Sequence, residues 1–389
     1  MRTNPFIIEQ AIRSAALVDR QEELSQVRTA LSQGGKLFLI GPRRFGKTSI
    51  LLSASEQLRD AGTRTVYLNL QSLTTVEAVI NELIRQTLDL RTNLKKGAEQ
   101  TRRFFSRFNP NITVDPLEQT LNVSLGIRTP EPSKQNPLLI EALRSLEQMS
   151  KKEKSPIGVI FDEFQEILRI GGEEIEKQLR AETQLHEHVG YVYAGSETSL
   201  LTDMISNPKR PFYKLGLPLF IRSIPRPDFI AQIRKSFRQI KSEVGDDALE
   251  IIFDTAQDAP HTIQVICHLL WDRTLQRGAK KITRLDVEST VKTLLGIYDP
   301  VYSGIWTRLV SNQRRVLQVI ASGVTTGLMR QSVLHAHHVS QANMRRALQA
   351  LESQQLLRRE DLRGEKVYHF EDPLLRAWVK RNTDVGSNT

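Results

Sequence analysis

The stretch GPRRFGKT at residues 41–48 constrains this chain more than any other. It satisfies Gly-x-x-x-x-Gly-Lys-Thr, a spacing that has meaning only where a buried strand runs into a tight loop and the loop into a helix. Both flanks comply. KLFLIG (36–41) is a short apolar run of buried-strand type, and KTSILLSASEQLRDAG (47–62) has helical spacing and stops at Gly62. TVYLNL (65–70) supplies the second strand of a βαβ unit, and such units build parallel sheets covered on both faces. IGVIFDE (157–163), VGYVYAGS (189–196) and LPLFIRSI (217–224) read as three further strands. The expected class is α/β, a P-loop NTPase parallel sheet.

The chemistry of such a loop follows from its residue types. Gly41 and Gly46 allow the backbone to turn its N–H groups inward at phosphate oxygens, and the helix that begins at Lys47 adds its positive end. The expected nucleotide-binding set is Gly41, Pro42, Arg43, Arg44, Phe45, Gly46, Lys47, Thr48 and Ser49, with Lys47 on the β/γ-phosphates and Thr48 on Mg²⁺. Hydrolysis needs more: a carboxylate to organise the metal and a group to activate water. GVIFDEF (158–164) ends an apolar strand in two adjacent acids, so Asp162 is the expected Mg²⁺ residue and Glu163 the general base. A strand followed by a helix with acids in its first turn would look the same without a ligand. Ser196, at the end of another strand, is placed to reach the γ-phosphate region, with Glu197 or Thr198 as substitutes. The segment SETS also suits a helix N-cap.

The remaining chain falls into parts. Residues 1–225 form the expected ATPase core, interrupted at about 90–137 by an insertion that is basic at its start and suits a β-hairpin around DPLEQ. Over residues 91–134 it holds eight Lys/Arg against four Asp/Glu. A helical region follows at 226–300, running to about residue 296. At 305–381 helix, helix, helix and a two-stranded wing around DLRGE make a winged helix-turn-helix pattern, followed by a polar tail at 382–389. The third helix, VSQANMRRALQALESQQLLRRE (339–360), would present Gln341, Asn343, Arg345, Arg346 and Gln349 to a DNA groove, and the wing would bring Arg363 and Lys366 to phosphates. Residues 305–389 carry 13 Lys/Arg against 7 Asp/Glu, more than half of the chain's net charge of +10, which favours an anionic partner. Winged helices also serve protein interaction, and that alternative stays open. The histidines of HAHH (335–338) lack nearby cysteine or carboxylate ligands, and Cys267 lies in an apolar helix as a core residue. A single cysteine excludes an internal disulfide and suits a cytoplasmic setting. No run approaches the ~20 apolar residues of a membrane helix, and MRTNPFIIEQ has no signal-peptide core.

Taken together, GPRRFGKTSI, VIFDEFQEI, YAGSETSLL and the LVDRQEEL segment (17–24) resemble the archaeal-type ATPases, P-loop proteins close to the AAA+ and STAND NTPases and the origin-recognition ATPases. The resemblance covers about residues 5–300. It implies ATP as the nucleotide, a switch with a helical lid, and a C-terminal DNA- or protein-binding module. It also implies that Pro260, in DAPHTIQ, packs near the adenine, although Asp258 stands where the family carries glycine. RPFYKLG (210–216) lacks the arginine that often follows in the family, leaving Arg210 or Lys214 as nearby substitutes. Because an arginine finger is worth ~10³–10⁵ in rate, slow or partner-stimulated turnover is expected, with the finger supplied by another copy of the chain or by a protein partner. The reading is an ATP-binding and ATP-hydrolysing switch that couples nucleotide state to DNA binding, of a transposition, replication or defence type. The alternative is a nucleotide-gated scaffold with little turnover that recruits a protein through the winged helix.

Overall fold

The computed structural model describes residues 3–8, 18–89, 110–114, 121–125, 136–362 and 364–384. The chain divides into two compact units. One comprises Ile12–Gly41 and Lys47–Arg222; the other comprises Met1–Ala11, Pro42–Gly46 and Ser223–Thr389.

The first unit holds α1 (Gln21–Ser32), β1 (Lys36–Ile40), α2 (Lys47–Asp60), β2 (Arg64–Asn69) and α3 (Val76–Asp89), then the hairpin strands β3 (Pro110–Val114) and β4 (Leu121–Leu125). After these come α4 (Asn136–Glu153), β5 (Ile157–Asp162), α5 (Ile167–Thr183), β6 (Val189–Gly195), α6 (Thr198–Ser206) and β7 (Leu217–Phe220). All five strands foreseen for the sheet are present, parallel, in the order β2-β5-β6-β1-β7. β5 and β6 are buried along their whole length, as unbroken apolar runs in a sheet covered on both faces require. On one face Phe38, Phe161, Phe164, Tyr193 and Phe212 form an aromatic core, with Phe38 and Tyr193 stacked at 4.9 Å between centroids. Such packing makes the strand ends rigid, so side chains placed there hold their geometry.

β7 lies at an open edge. The Ile221 amide just beyond it donates to Ile40 O at 2.7 Å, so alternate residues turn their N–H outward, and Pro218 puts its missing donor on the open side, which blunts strand addition. The expected hairpin in the insertion exists, with Pro110 opposite Leu125; its turn and the basic stretch before it lie outside the described residues.

The second unit contains α7 (Arg226–Arg238), β8 (Glu243–Val244), α8 (Asp246–Ala256), α9 (Pro260–Arg277), β9 (Lys281–Ile282) and α10 (Arg284–Arg308). The N-terminal residues strap onto α9: Asn4 Nδ2 donates to His268 O at 3.0 Å, and the Phe6 ring packs 5.4 Å from Phe237. α10 departs from expectation. It does not end near residue 296 but continues for 25 residues through Pro300. The proline removes one helical bond, yet the far half gains an aromatic ridge of Tyr298, Tyr302 and Trp306 against Trp378 that holds the helix together.

The winged-helix elements follow as α11 (Ser311–Ala321), α12 (Gln331–Ala336), α13 (Gln341–Ser353), β10 (Leu357–Leu362) and β11 (Glu365–Phe370). α13 is shorter than the reading of 339–360, because Gln355 takes φ +55° and the chain turns into the wing. Ser340 caps it, its Oγ accepting from Asn343 N. A last helix, α14 (Pro373–Asp384), was not foreseen; Asp372 starts it by accepting from Leu374 N at 2.9 Å. Among the described residues no helix is long and apolar enough to cross a membrane.

Candidate functional site

The phosphate loop has the backbone its sequence demands. A Cβ on Gly41 would sit 2.8 Å from the Ile221 Cβ and 3.0 Å from the Ile221 carbonyl, and Gly46 takes φ +93°, a conformation open to glycine. α2 begins at Lys47, directly after the loop in sequence, so the positive end of its dipole lies at that end of the helix. Lys47 is buried and donates to Gly41 O at 2.8 Å, and Ser49 is buried behind it. Residues Pro42–Gly46 belong to the other unit, where the Arg358 guanidinium lies 5.5 Å from the Phe45 ring centroid and Arg44 approaches Asp372 at 3.9 Å. Arg44 itself sits in the left-handed region at φ +65°.

β5 delivers the acid pair. Asp162 is 2% exposed and takes three donors: Glu163 N reaches Oδ1 at 3.0 Å, while Thr48 Oγ1 (3.1 Å) and Tyr67 Oη (2.5 Å) converge on Oδ2. Burial pushes the Asp162 carboxyl above the usual range; the Tyr67 hydrogen bond opposes this, the Glu163 charge adds to it and the Lys47 charge opposes it. The same environment raises the Tyr67 phenol, first through burial and then through Asp162, so it remains a donor. Glu163 turns the chain with φ +53°, an uncommon backbone for a non-glycine residue. Its Oε2 accepts from Ser196 Oγ at 2.7 Å, Ser196 N at 3.3 Å and Gln165 Nε2 at 2.6 Å. Ser196 therefore meets Glu163, and it is Glu197 that takes the N-cap position of α6.

Lys47, Thr48, Asp162, Glu163 and Ser196 thus all lie in one unit at the C-terminal ends of parallel strands. Pro260 belongs to the other unit, in the first turn of α9. The donors are hard oxygens, a hydroxyl and a carboxylate 3.1 Å apart, which suit Mg²⁺ over a softer metal. Sequence reasoning missed Tyr67 and Gln165. Tyr67 was hidden in an apolar strand pattern, and Gln165 carries no signal until the turn after Glu163 is known.

Two departures from the family pattern acquire physical content. Asp258, at the glycine position, adopts φ +56°, the backbone a glycine would supply, and its carboxylate is gripped by Arg226 at 2.7 and 3.2 Å. Arg210 is engaged by Glu176 at 2.9 Å, a carboxylate 2% exposed, and by Asp203 at 3.7 Å. Lys214 lies 5.2 Å from the Tyr213 ring centroid.

In the winged helix a cavity of about 620 Å³ opens between α13 and the wing, lined among others by Arg345, Gln349, Glu352, Arg359, Lys366 and Tyr368. It brings together three of the expected DNA-contact residues, Arg345, Gln349 and Lys366. Arg346 and Gln341 are exposed on α13 without lining it, Asn343 is half-buried, and Arg363 lies outside the described residues.

Residues 17–211 match a family described as an ATPase domain predominantly from Archaea, and residues 300–381 match one described as "Probable winged helix domain". No curated protein matches the chain. Among solved structures, the chain is similar to the Walker-type ATPase paby2304 of Pyrococcus abyssi, at TM-score 0.63 and 19% identity over 97% of this chain and 99% of that one. It is similar to the Aeropyrum pernix ORC2 protein solved as ADPNP-ADP complexes, at TM-score 0.57 and 15% identity over 98% of each chain. The Aeropyrum pernix ORC1 protein solved in complex with DNA follows at TM-score 0.50 and 12% identity, over 99% of this chain and 97% of that one.

Proposed function

Because this chain belongs to the family of ATPase domains found predominantly in Archaea, with a winged helix behind it, we propose that it is a Mg²⁺-dependent ATPase switch whose nucleotide state governs DNA binding. The observation that carries this reading is the convergence of Thr48 on Asp162, with Glu163 held beside it by Ser196. Lys47 and the N–H groups at the start of α2 hold the triphosphate. Thr48 and Asp162 hold Mg²⁺, which when bound neutralises charge on the phosphate oxygens. Glu163 takes a proton from water, and Ser196 orients it. The resemblance to the archaeal-type ATPases implies a lid at 226–300 with Pro260 near the adenine, and the winged helix at 305–381 engages DNA through the α13 surface and Lys366. The lone Cys267, fully buried with its thiol pushed up by burial, suits a cytoplasmic setting.

Steady-state ATP hydrolysis with and without double-stranded DNA tests the whole reading, beside Lys47→Ala and Glu163→Gln. DNA-stimulated turnover abolished by both substitutions is the expected result; DNA-independent turnover would detach the winged helix from the switch. A Lys366→Ala variant should weaken binding to all sequences alike and lower the salt slope by about one.

The commitment of Arg210 to Glu176 favours one second reading, a scaffold that holds ATP with little turnover until a homo-oligomer neighbour or a protein partner supplies an arginine. In that case Glu163→Gln should leave the isolated chain's already low turnover nearly unchanged.

A further inference from the structure

Asp162 is approached from a direction that the acid motif does not supply. β2 is the other edge strand of the sheet, and its Tyr67 hydroxyl crosses to the carboxylate at the end of β5, donating to Oδ2 at 2.5 Å. The register explains the reach. Tyr67 lies opposite Ile160 and Asn69 opposite Asp162, so a phenol two residues back along β2 spans the distance that a shorter side chain would leave open.

The backbone behind this tyrosine is clamped as well. On the side away from β5, the Gln86 side chain from α3 accepts from Tyr67 N at 2.7 Å and donates to Tyr67 O at 2.6 Å. Gln86 also donates to Glu82 at 2.6 Å, which fixes the amide orientation. One side chain thus satisfies both edge groups of a single residue, as a neighbouring strand would.

A carboxylate offers about four lone-pair positions. Three of those on Asp162 are taken by described donors, two on Oδ2 and one on Oδ1. What remains is a single acceptor direction on Oδ1. The Thr48 hydroxyl donates to Oδ2 and also meets the Tyr67 phenol, and a hydroxyl oxygen with two lone pairs can still accept one more partner.

Resting on the ATP-site reading above, we propose that Tyr67 is a positioning residue for the metal. Its hydroxyl locks the Asp162 carboxylate so that Oδ1 and the Thr48 oxygen present fixed lone pairs to Mg²⁺. Without that donor the carboxylate rotates and accepts from Thr48 in other geometries, and cation binding loses its preset frame. Residues of this outer kind typically govern about 10–100-fold in metal affinity.

The test is nucleotide binding rather than turnover. A fluorescent ATP analogue is titrated into the full chain with EDTA and at graded Mg²⁺ concentrations, for wild type, Tyr67→Phe and Gln86→Leu. Tyr67→Phe should bind the metal-free nucleotide as wild type does and lose about tenfold or more of the tightening that Mg²⁺ gives. Gln86→Leu should lose less in the same direction, which keeps the idea testable should Tyr67→Phe fold poorly. Equal Mg²⁺ responses in wild type and both variants would overturn the proposal. So would a loss that is the same with and without Mg²⁺, since that marks a merely structural tyrosine. Absence of nucleotide binding by wild type under every condition would remove the ATP-site reading, and this proposal with it.

Discussion

The two ends of one parallel sheet carry charged clusters built from similar residues on opposite principles. Where the strands start, Tyr191 donates to His186 Nδ1 at 2.7 Å, and His186 Nε2 donates to Glu182 at 3.2 Å. Arg144 grips both Glu182 oxygens, Lys36 donates to the carbonyls of Gly34 and His186, and Glu147 accepts from His188 Nδ1 at 2.9 Å. Each acid there is matched to a cation or a ring N–H inside the cluster. Where the strands finish, Asp162 and Glu163 stand side by side with hydroxyls and amides as donors, and the buried Lys47 is bonded to a carbonyl. Glu163 adds an uncommon backbone conformation. Charges balanced within the protein hold the fold. Adjacent acids met by hydroxyls and amides, with the buried Lys47 as the cation whose charge reaches Asp162, on an uncommon backbone, have the pattern of a functional site.

The largest test of that contrast is Glu163→Gln. Turnover should drop by about 10²–10⁴ while the thermal midpoint stays put; a large loss of stability would mean the strand-end cluster is structural too. Next comes Glu182→Gln at the opposite end, which takes the charge from Arg144 and the acceptor from His186. Urea unfolding should show a loss of about 1–3 kcal/mol with ATP binding intact, and impaired ATP binding would blur the division between the two ends.

Acidification sharpens it further. Burial holds His186 below its ordinary 6.5, with Glu182 partly opposing, so the folded state stays neutral while the unfolded chain takes up a proton. Stability should therefore fall as pH drops below 6.5. A second loss follows below 4.5, because the Arg144 and His186 hydrogen bonds keep Glu182 under that value despite its burial. The difference between wild-type and His186→Asn stability curves isolates the first phase; parallel curves would remove His186 as its source. The smallest effect belongs to Asp258→Gly in the other unit. Relief of φ +56° and loss of a half-exposed Arg226 pair should nearly cancel, within about 1 kcal/mol by chemical denaturation.

The contrast also explains what the sequence disclosed. Lys47, Thr48, Asp162, Glu163 and Ser196 were legible because each ends or follows a strand, and a parallel sheet brings all strand ends to one side. Tyr67 was not, since its meeting with Asp162 depends on strand order rather than on local spacing. The same holds for His186 and Glu147, which look like ordinary surface residues until β5 and β6 align. α14 had a readable start in EDPLL, an Asp cap before a first-turn proline, with Leu374, Leu375, Trp378 and Val379 on one face. Pro300 misled in the other direction: it reads as a helix stop, and only the packing of Tyr302 and Trp306 on Trp378 overrides it.

That uninterrupted helix gives the second unit a mechanical character. At ~1.5 Å per residue, the 25 residues of α10 make a rod of about 37 Å running from Arg284 into the winged helix. A tilt of about 10° at the Arg284 end would sweep the far end through about 6 Å, a distance comparable to one helical turn. Pro300 sits about two thirds of the way along it, where a missing hydrogen bond leaves the rod softest to bending. The lever and its point of compliance are therefore the same element, and the stiffness of one peptide segment sets how much of any tilt at one end arrives at the other as displacement.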